Sequence, residues 1–134
     1  MKERAEEAKM LLRLARRDLK TYELLKINGI DFVEPAKFHA QQCVEKSLKA
    51  VLSAKKIRFN RTHDLTELVD SLTVAGFPPP FESSDLGKLN PYAVLFRYDD
   101  RDISVIEYKE TSKYVEGVYK WAKKVVKETE DSFS

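Results

Sequence analysis

The chain has 134 residues, with 24 basic and 22 acidic side chains, a net charge of +2, four glycines, five prolines and one cysteine. This length predicts one domain, residues 1–134, that buries enough surface to fold without a disulfide or a metal. The balanced charge gives no argument for DNA binding. The scarcity of turn-forming residues argues against an all-β fold. A single cysteine excludes an internal disulfide.

Two long amphipathic helices are predicted in the first half of the chain. From Lys2 to about Lys26, apolar residues recur at three- and four-residue spacing, and Asn28-Gly29 ends this helix. Pro35 fits the first turn of a second helix, which we expect to run to about Lys56. Its apolar side comprises Ala36, Ala40, Cys43, Val44, Ser47, Leu48 and Val51.

A third helix is predicted after a loop at residues 57–63, with either Thr62 or Asp64 as its cap. Gly76 and the prolines at 78–80 then form a stiff, extended connector. The expected core side of the third helix comprises Leu65, Leu68, Val69 and Leu72.

The last third of the chain predicts one short and one long helix. A short helix is expected around residues 84–89, restarting at Asn90-Pro91 and continuing towards Arg97. Ser104 and Glu107 have the spacing of a capping box, and apolar residues at three- and four-residue spacing follow. Because three long amphipathic helices can bury their apolar sides only against each other, we predict an all-α bundle of about five helices.

The usual signatures of metal and cofactor sites are missing from the sequence. Neither His39 nor His63 has a glutamate three residues before it, one thiol cannot form a zinc site, and no glycine-rich phosphate loop is present. Cys43 lies on the apolar side of the second helix, so we expect a buried, structural cysteine. We therefore predict no metal site and no cofactor.

The polar side of the second helix is unusual for a solvated surface, because it combines aromatic, imidazole and amide groups. One interpretation is a surface that contacts a ligand or partner. The other is that Phe38 packs under a loop while the remaining side chains face solvent. The residues concerned are Phe38, His39, Gln41, Gln42, Glu45, Lys46 and Lys49.

A second group of candidate residues occupies positions 97–102, between the fourth and fifth predicted helices. Arg97 can bind a phosphate through its bidentate fork, and Tyr98 can stack on a base. The alternative is an intramolecular clamp between arginine and aspartate side chains that closes the loop, and residue chemistry alone favours this clamp.

Three segments together resemble the HEPN family (higher eukaryotes and prokaryotes nucleotide-binding domain). Residues 38–50 resemble the family signature, and residues 62–65 resemble the start of its next helix. Residues 89–94 and 97–99 resemble its Arg-Tyr-Pro-Asp region, with Asp99 where proline is common. The segments follow family order and spacing and cover nearly the whole chain. The resemblance implies an up-and-down antiparallel bundle with a four-helix core and an additional short helix.

The resemblance also implies partners and possible activities. HEPN domains are commonly encoded beside minimal nucleotidyltransferases, as toxin–antitoxin-like pairs or two-part enzymes, and they commonly dimerise. Many are metal-independent ribonucleases that use an arginine followed, after four to six residues, by a histidine near the last helix. No histidine follows Arg97 or Arg101 here. Arg58 and His63 have such a spacing, but they lie in the wrong loop, so we treat that match as accidental.

We therefore predict an accessory subunit that pairs with a minimal nucleotidyltransferase, binds a nucleotide or RNA, has no catalytic residue of its own, and forms a homodimer or hetero-oligomer. The alternatives are a ribonuclease toxin with an unrecognised site and a dimeric helical scaffold. The longest run without a charged residue, 71–81, is too short to cross a bilayer, and the charged N-terminus has no signal-peptide pattern, so we expect a cytoplasmic protein without membrane contact. The candidate nucleotide- or RNA-binding residues are Arg97, Tyr98, His39, Gln42, Lys46 and Lys49.

Overall fold

The computed structural model describes residues 2–28, 30–93 and 108–132, and this part of the chain contains five α-helices and no strand. The predicted all-α helical bundle is thereby confirmed. Short 3₁₀ segments precede α2 (Ile30–Phe32) and follow α4 (Gly87–Ala93). The helices are α1 Lys2–Ile27, α2 Val33–Ala54, α3 Leu65–Val74, α4 Ser83–Leu86 and α5 Tyr108–Asp131.

Helix α1 runs antiparallel to both α2 and α5. Ser53, near the end of α2, donates to the carbonyl of Arg4 at the start of α1, at 3.2 Å. Lys9 of α1 pairs with Glu130 at the end of α5, at 2.6 Å. Consequently α1 ends at the end of the bundle where α2 and α5 begin, and both of those helix N-termini lie there.

Helix α2 is the centre of the bundle, because α1, α3, α5 and the second 3₁₀ segment all pack against it. Every residue of its predicted apolar side is buried, which confirms that side. Gln41 and Glu45, which the sequence pattern assigned to the polar side, are buried as well. Both contact His63 in the loop before α3, so this loop covers a part of α2 that periodicity alone predicts to be open.

The helix ends largely follow the predicted local signals. Asn28 donates from its side chain to the carbonyl of Leu24, at 2.7 Å, which closes the last turn of α1, whereas Gly29 lies outside the described residues. Asp64 is the cap of α3, since its carboxylate accepts from the Thr66 backbone N–H at 3.0 Å. Thr62, the other candidate cap, accepts instead from the Asp64 backbone N–H, at 3.0 Å.

Two predicted boundaries differ from the structure, and one prediction lies outside it. Helix α2 has Pro35 in its first turn, as predicted, but it ends at Ala54 rather than near Lys56. The short helix expected at 84–89 is the single-turn α4 followed by the 3₁₀ segment that contains Pro91. The continuation towards Arg97 and the capping box of Ser104 and Glu107 lie outside the described residues. None of the described helices is long and apolar enough to span a membrane.

Candidate functional site

One buried carboxylate joins α1 to the polar side of α2. Asp18 of α1 accepts from Lys46 Nζ at 2.6 Å and lies 2.9 Å from His39 Nδ1. Asp18 is buried, whereas the Lys46 and His39 side chains are partly exposed. A carboxylate at Nδ1 places the proton of a neutral imidazole on that atom, which leaves Nε2 as the acceptor.

A second buried carboxylate repeats this arrangement on the other flank of α2. The Glu45 side chain, 5% exposed, accepts from Lys49 Nζ at 3.0 Å, and its two oxygens lie 3.0 and 3.1 Å from His63 Nδ1. Gln41 donates to Glu45 at 3.2 Å and to the His63 carbonyl at 3.2 Å. Gln42 donates to the Gln41 side-chain oxygen at 2.7 Å.

The four predicted site residues on α2 form one partly exposed row, which we call the α2 stripe: His39, Gln42, Lys46 and Lys49. Their spacing of three and four residues puts them on one side of the helix. The stripe has no net charge when His39 is neutral, because Asp18 and Glu45 balance the two lysines. It therefore offers directional hydrogen bonds more than a strong positive field.

Arg97 and Tyr98, the other two predicted site residues, lie outside the described residues, so their role stays a prediction. Phe38 is half-buried at the edge of the stripe, and its ring meets the His39 ring edge-on with centroids 5.1 Å apart. The interpretation that the remaining side chains face solvent is wrong for Gln41 and Glu45, which are buried under the loop before α3.

Sequence reasoning missed Lys37, which is 1% exposed in the second turn of α2. Its Nζ lies 5.5 Å from the ring centroid of Tyr92 and 5.7 Å from that of Tyr108. Burial lowers the pKa of this ammonium to about 8, against the opposing effect of the Glu110 charge. A signal was present in the sequence: Lys37 borders the apolar side of α2, directly beside Ala36 and four residues before Gln41.

Cys43 is fully buried, as predicted, and burial raises the pKa of its thiol to about 12. A thiol with this pKa carries almost no nucleophilic thiolate near neutral pH. Within the described parts of the chain, no group of three or more His, Cys, Asp or Glu side chains is arranged to hold a metal ion.

These features define a helical-bundle protein whose central helix carries a polar stripe bordered by two histidine–carboxylate pairs. The chain belongs to the HEPN family: the family model for the HEPN domain matches residues 8–126, which confirms the predicted membership. The matched region includes the α2 stripe and the positions of Arg97 and Tyr98. Membership supports a role connected with nucleotides or RNA at the level of the family.

A comparison with curated proteins gives no match, and a comparison with solved structures gives none either.

Proposed function

We propose that this protein is a non-catalytic HEPN subunit that binds a nucleotide or RNA and acts with a minimal nucleotidyltransferase in the cytoplasm, in a toxin–antitoxin-like or two-part system. Membership of the HEPN family supports the ligand class. The partner, the cytoplasmic location and assembly as a homodimer or hetero-oligomer belong to the proposal itself.

One observation favours binding over RNA cleavage. The chain has two histidines, and a buried carboxylate holds each of them through Nδ1: Asp18 holds His39 and Glu45 holds His63. Neither histidine follows Arg97 or Arg101 in the sequence. Metal-independent cleavage of RNA needs a group that transfers protons near neutral pH beside the phosphate-binding arginine.

In this proposal, Arg97 attracts the phosphate of the ligand, and the α2 stripe orients the ligand. The guanidinium of Arg97 binds a phosphate through two parallel hydrogen bonds, and the Tyr98 ring stacks on a base. His39 and Gln42 provide directional hydrogen bonds. Lys46 and Lys49 add local positive potential, although each is partly neutralised by its carboxylate.

The dimeric scaffold remains a second candidate because of one feature of the surface. Three large apolar side chains around the connection between α1 and α2 are exposed, and such side chains are typical of contact surfaces. They are Leu24 (65% exposed), Ile27 (78%) and Phe32 (41%). Light scattering of the protein alone and with its nucleotidyltransferase tests assembly, and a monomer under both conditions would count against it.

The binding role is tested with Arg97→Ala, Arg97→Lys and, as a matched control, Arg13→Ala on the exposed surface of α1. Fluorescence anisotropy with a short labelled RNA and calorimetry with nucleoside triphosphates measure affinity, and circular dichroism measures melting. We expect Arg97→Ala to lose about 1–3 kcal/mol of binding with helix content intact. Arg97→Lys should weaken binding as well, because it keeps the charge but lacks the fork.

Two results would overturn the proposal. A large drop in melting temperature with unchanged affinity would make Arg97 a structural clamp. Arg97-dependent cleavage of RNA without metal would make the protein a ribonuclease, which is the alternative activity suggested by the family.

A further inference from the structure

Lys37 holds a buried ammonium without a hydrogen-bond acceptor among the described residues. The residue is 1% exposed, and Nζ has no partner within hydrogen-bond distance in that part of the chain. The acidic group whose charge acts on it, Glu110, is already bound by Lys88 at 3.1 Å and by the Tyr114 hydroxyl at 2.6 Å. Glu110 is therefore engaged elsewhere.

An arrangement of this kind opposes folding, because an ammonium removed from water loses its hydration and pairs with no acidic side chain among the residues that the structure describes. The pKa near 8 reflects this loss of hydration. At neutral pH, Lys37 is still protonated in most of the molecules. A methionine of similar length would pack between the same rings without this penalty. A buried charge that destabilises the free protein indicates a binding site whose ligand supplies the counter-ion.

Two hydroxyls in the first turn of α5 suit an oxyanion beside an aromatic ring. The hydroxyls of Tyr108 and Thr111 also lack a partner within the described residues, and these residues share a side of α5 because they are three positions apart. Helices α2 and α5 both begin at this end, so their positive dipole ends lie there. Tyr108 is half-buried, and the centroid of its ring lies 5.7 Å from Nζ.

We propose that Lys37 receives a phosphoryl oxygen of a nucleotide or an RNA chain, with the ring of Tyr108 beside the adjoining base. This inference rests on the proposed function and adds to it a named anion-binding residue on the side of α2 opposite His39.

The test compares wild type, Lys37→Met and the matched control Lys20→Met, an exposed lysine of α1. Calorimetry measures affinity for ATP, inorganic triphosphate and a 12-nucleotide single-stranded RNA, and urea denaturation measures stability. We expect Lys37→Met to unfold at an equal or higher urea concentration than wild type and to bind at least about tenfold more weakly, since one charge-assisted contact is lost. Lys20→Met should match wild type in both measurements.

The outcomes separate this inference from the proposed function. If wild type binds neither ATP nor RNA, the proposed function fails; if it binds and Lys37→Met binds equally well, only the role of Lys37 fails. Preference for ATP identifies a free nucleotide as the source of the phosphoryl group, and preference for RNA identifies a chain. Triphosphate binding as tight as ATP binding would overturn the role given to the Tyr108 ring.

A second measurement keeps the inference testable if Lys37→Met does not fold. In wild-type protein with ¹³C at lysine Cε, the Lys37 resonance should titrate near pH 8 without ligand and at higher pH with saturating ATP or RNA, because a bound anion favours the charged form. An unchanged midpoint with the ligand bound would overturn the inference.

Discussion

Substituting Glu45 by glutamine tests how much the buried ion pair between Glu45 and Lys49 of α2 contributes to stability. The substitution preserves shape and one acceptor oxygen, so Gln41 keeps a partner, but it removes the negative charge that faces Lys49 at 3.0 Å. Lys49 is only 17% exposed and is left without a counter-ion on this side. His63 is 75% exposed, so its contact contributes little.

The expected loss is about 2–4 kcal/mol of unfolding free energy. Removing one partner of a buried ion pair costs about 3–5 kcal/mol, and the partial exposure of Lys49 reduces this figure. With a urea dependence of about 1–3 kcal/mol per molar, the unfolding midpoint falls by about 0.7–4 M. Glu6→Gln, on the exposed side of α1, is the matched control and should change stability by no more than about 0.5 kcal/mol.

A double variant shows whether the unpaired ammonium causes the loss. In Glu45→Gln/Lys49→Met, the stranded charge is gone, so about 1–2 kcal/mol should be recovered relative to Glu45→Gln alone. Urea unfolding followed by circular dichroism at 222 nm gives all the values. A Glu45→Gln protein as stable as the Glu6→Gln control would refute the reasoning, because Glu45 would then have no net electrostatic contribution.

Two further predictions concern packing. Gly117→Ala should lower the free energy of unfolding by about 1–2 kcal/mol despite the better helix propensity of alanine, because the new Cβ would lie 2.7 and 3.0 Å from two Phe81 ring atoms. In a Phe81→Ala background, the same change should become neutral or stabilising. Equal effects in both backgrounds would contradict this prediction. Cys43 should react with a thiol reagent only as fast as the protein unfolds, because it is fully buried and burial raises its pKa to about 12; rapid labelling of the folded protein would contradict this expectation.

The elements that the sequence predicts well are those determined by local periodicity. The spacing of apolar residues identified α1, the side of α2 that is buried, and the four buried core residues of α3. Local chemistry also identified Asp64 as a candidate cap. These features depend on residues within about one helical turn of each other, which is the range over which a sequence pattern carries structural information.

The parts that the sequence does not reveal depend on contacts between distant residues. His39 and Asp18 are 21 positions apart, and Glu45 and His63 are 18 apart, so no spacing rule links them. A prediction from periodicity also assumes that one side of each helix is exposed to solvent. Helix α2 instead has neighbours nearly all around it, so Gln41, Glu45 and Lys37 are buried although their residue types predict exposure.

The pH dependence of stability provides an independent test of the environment of Lys37. Its pKa is about 8 in the folded protein and 10.5 without burial, so between these values the unfolded chain binds more protons than the folded protein. The contribution of Lys37 to stability therefore rises with pH through this range and is lost as pH falls through 8.

The difference between the two pKa values corresponds to at most about 3 kcal/mol, and residual screening by solvent reduces this to about 1–3 kcal/mol. Lys37→Met lacks this titration, so its advantage over wild type should be largest below pH 8 and shrink by that amount towards pH 10. Ionisation of tyrosines such as Tyr22, whose pKa burial raises to about 12, acts in the opposite direction but is common to both proteins. Urea unfolding free energies of both proteins, measured at half-unit intervals from pH 7 to 10, give the difference directly. A difference that stays constant over this range would show that Lys37 is hydrated or paired in the folded protein and is not a buried, unpaired ammonium.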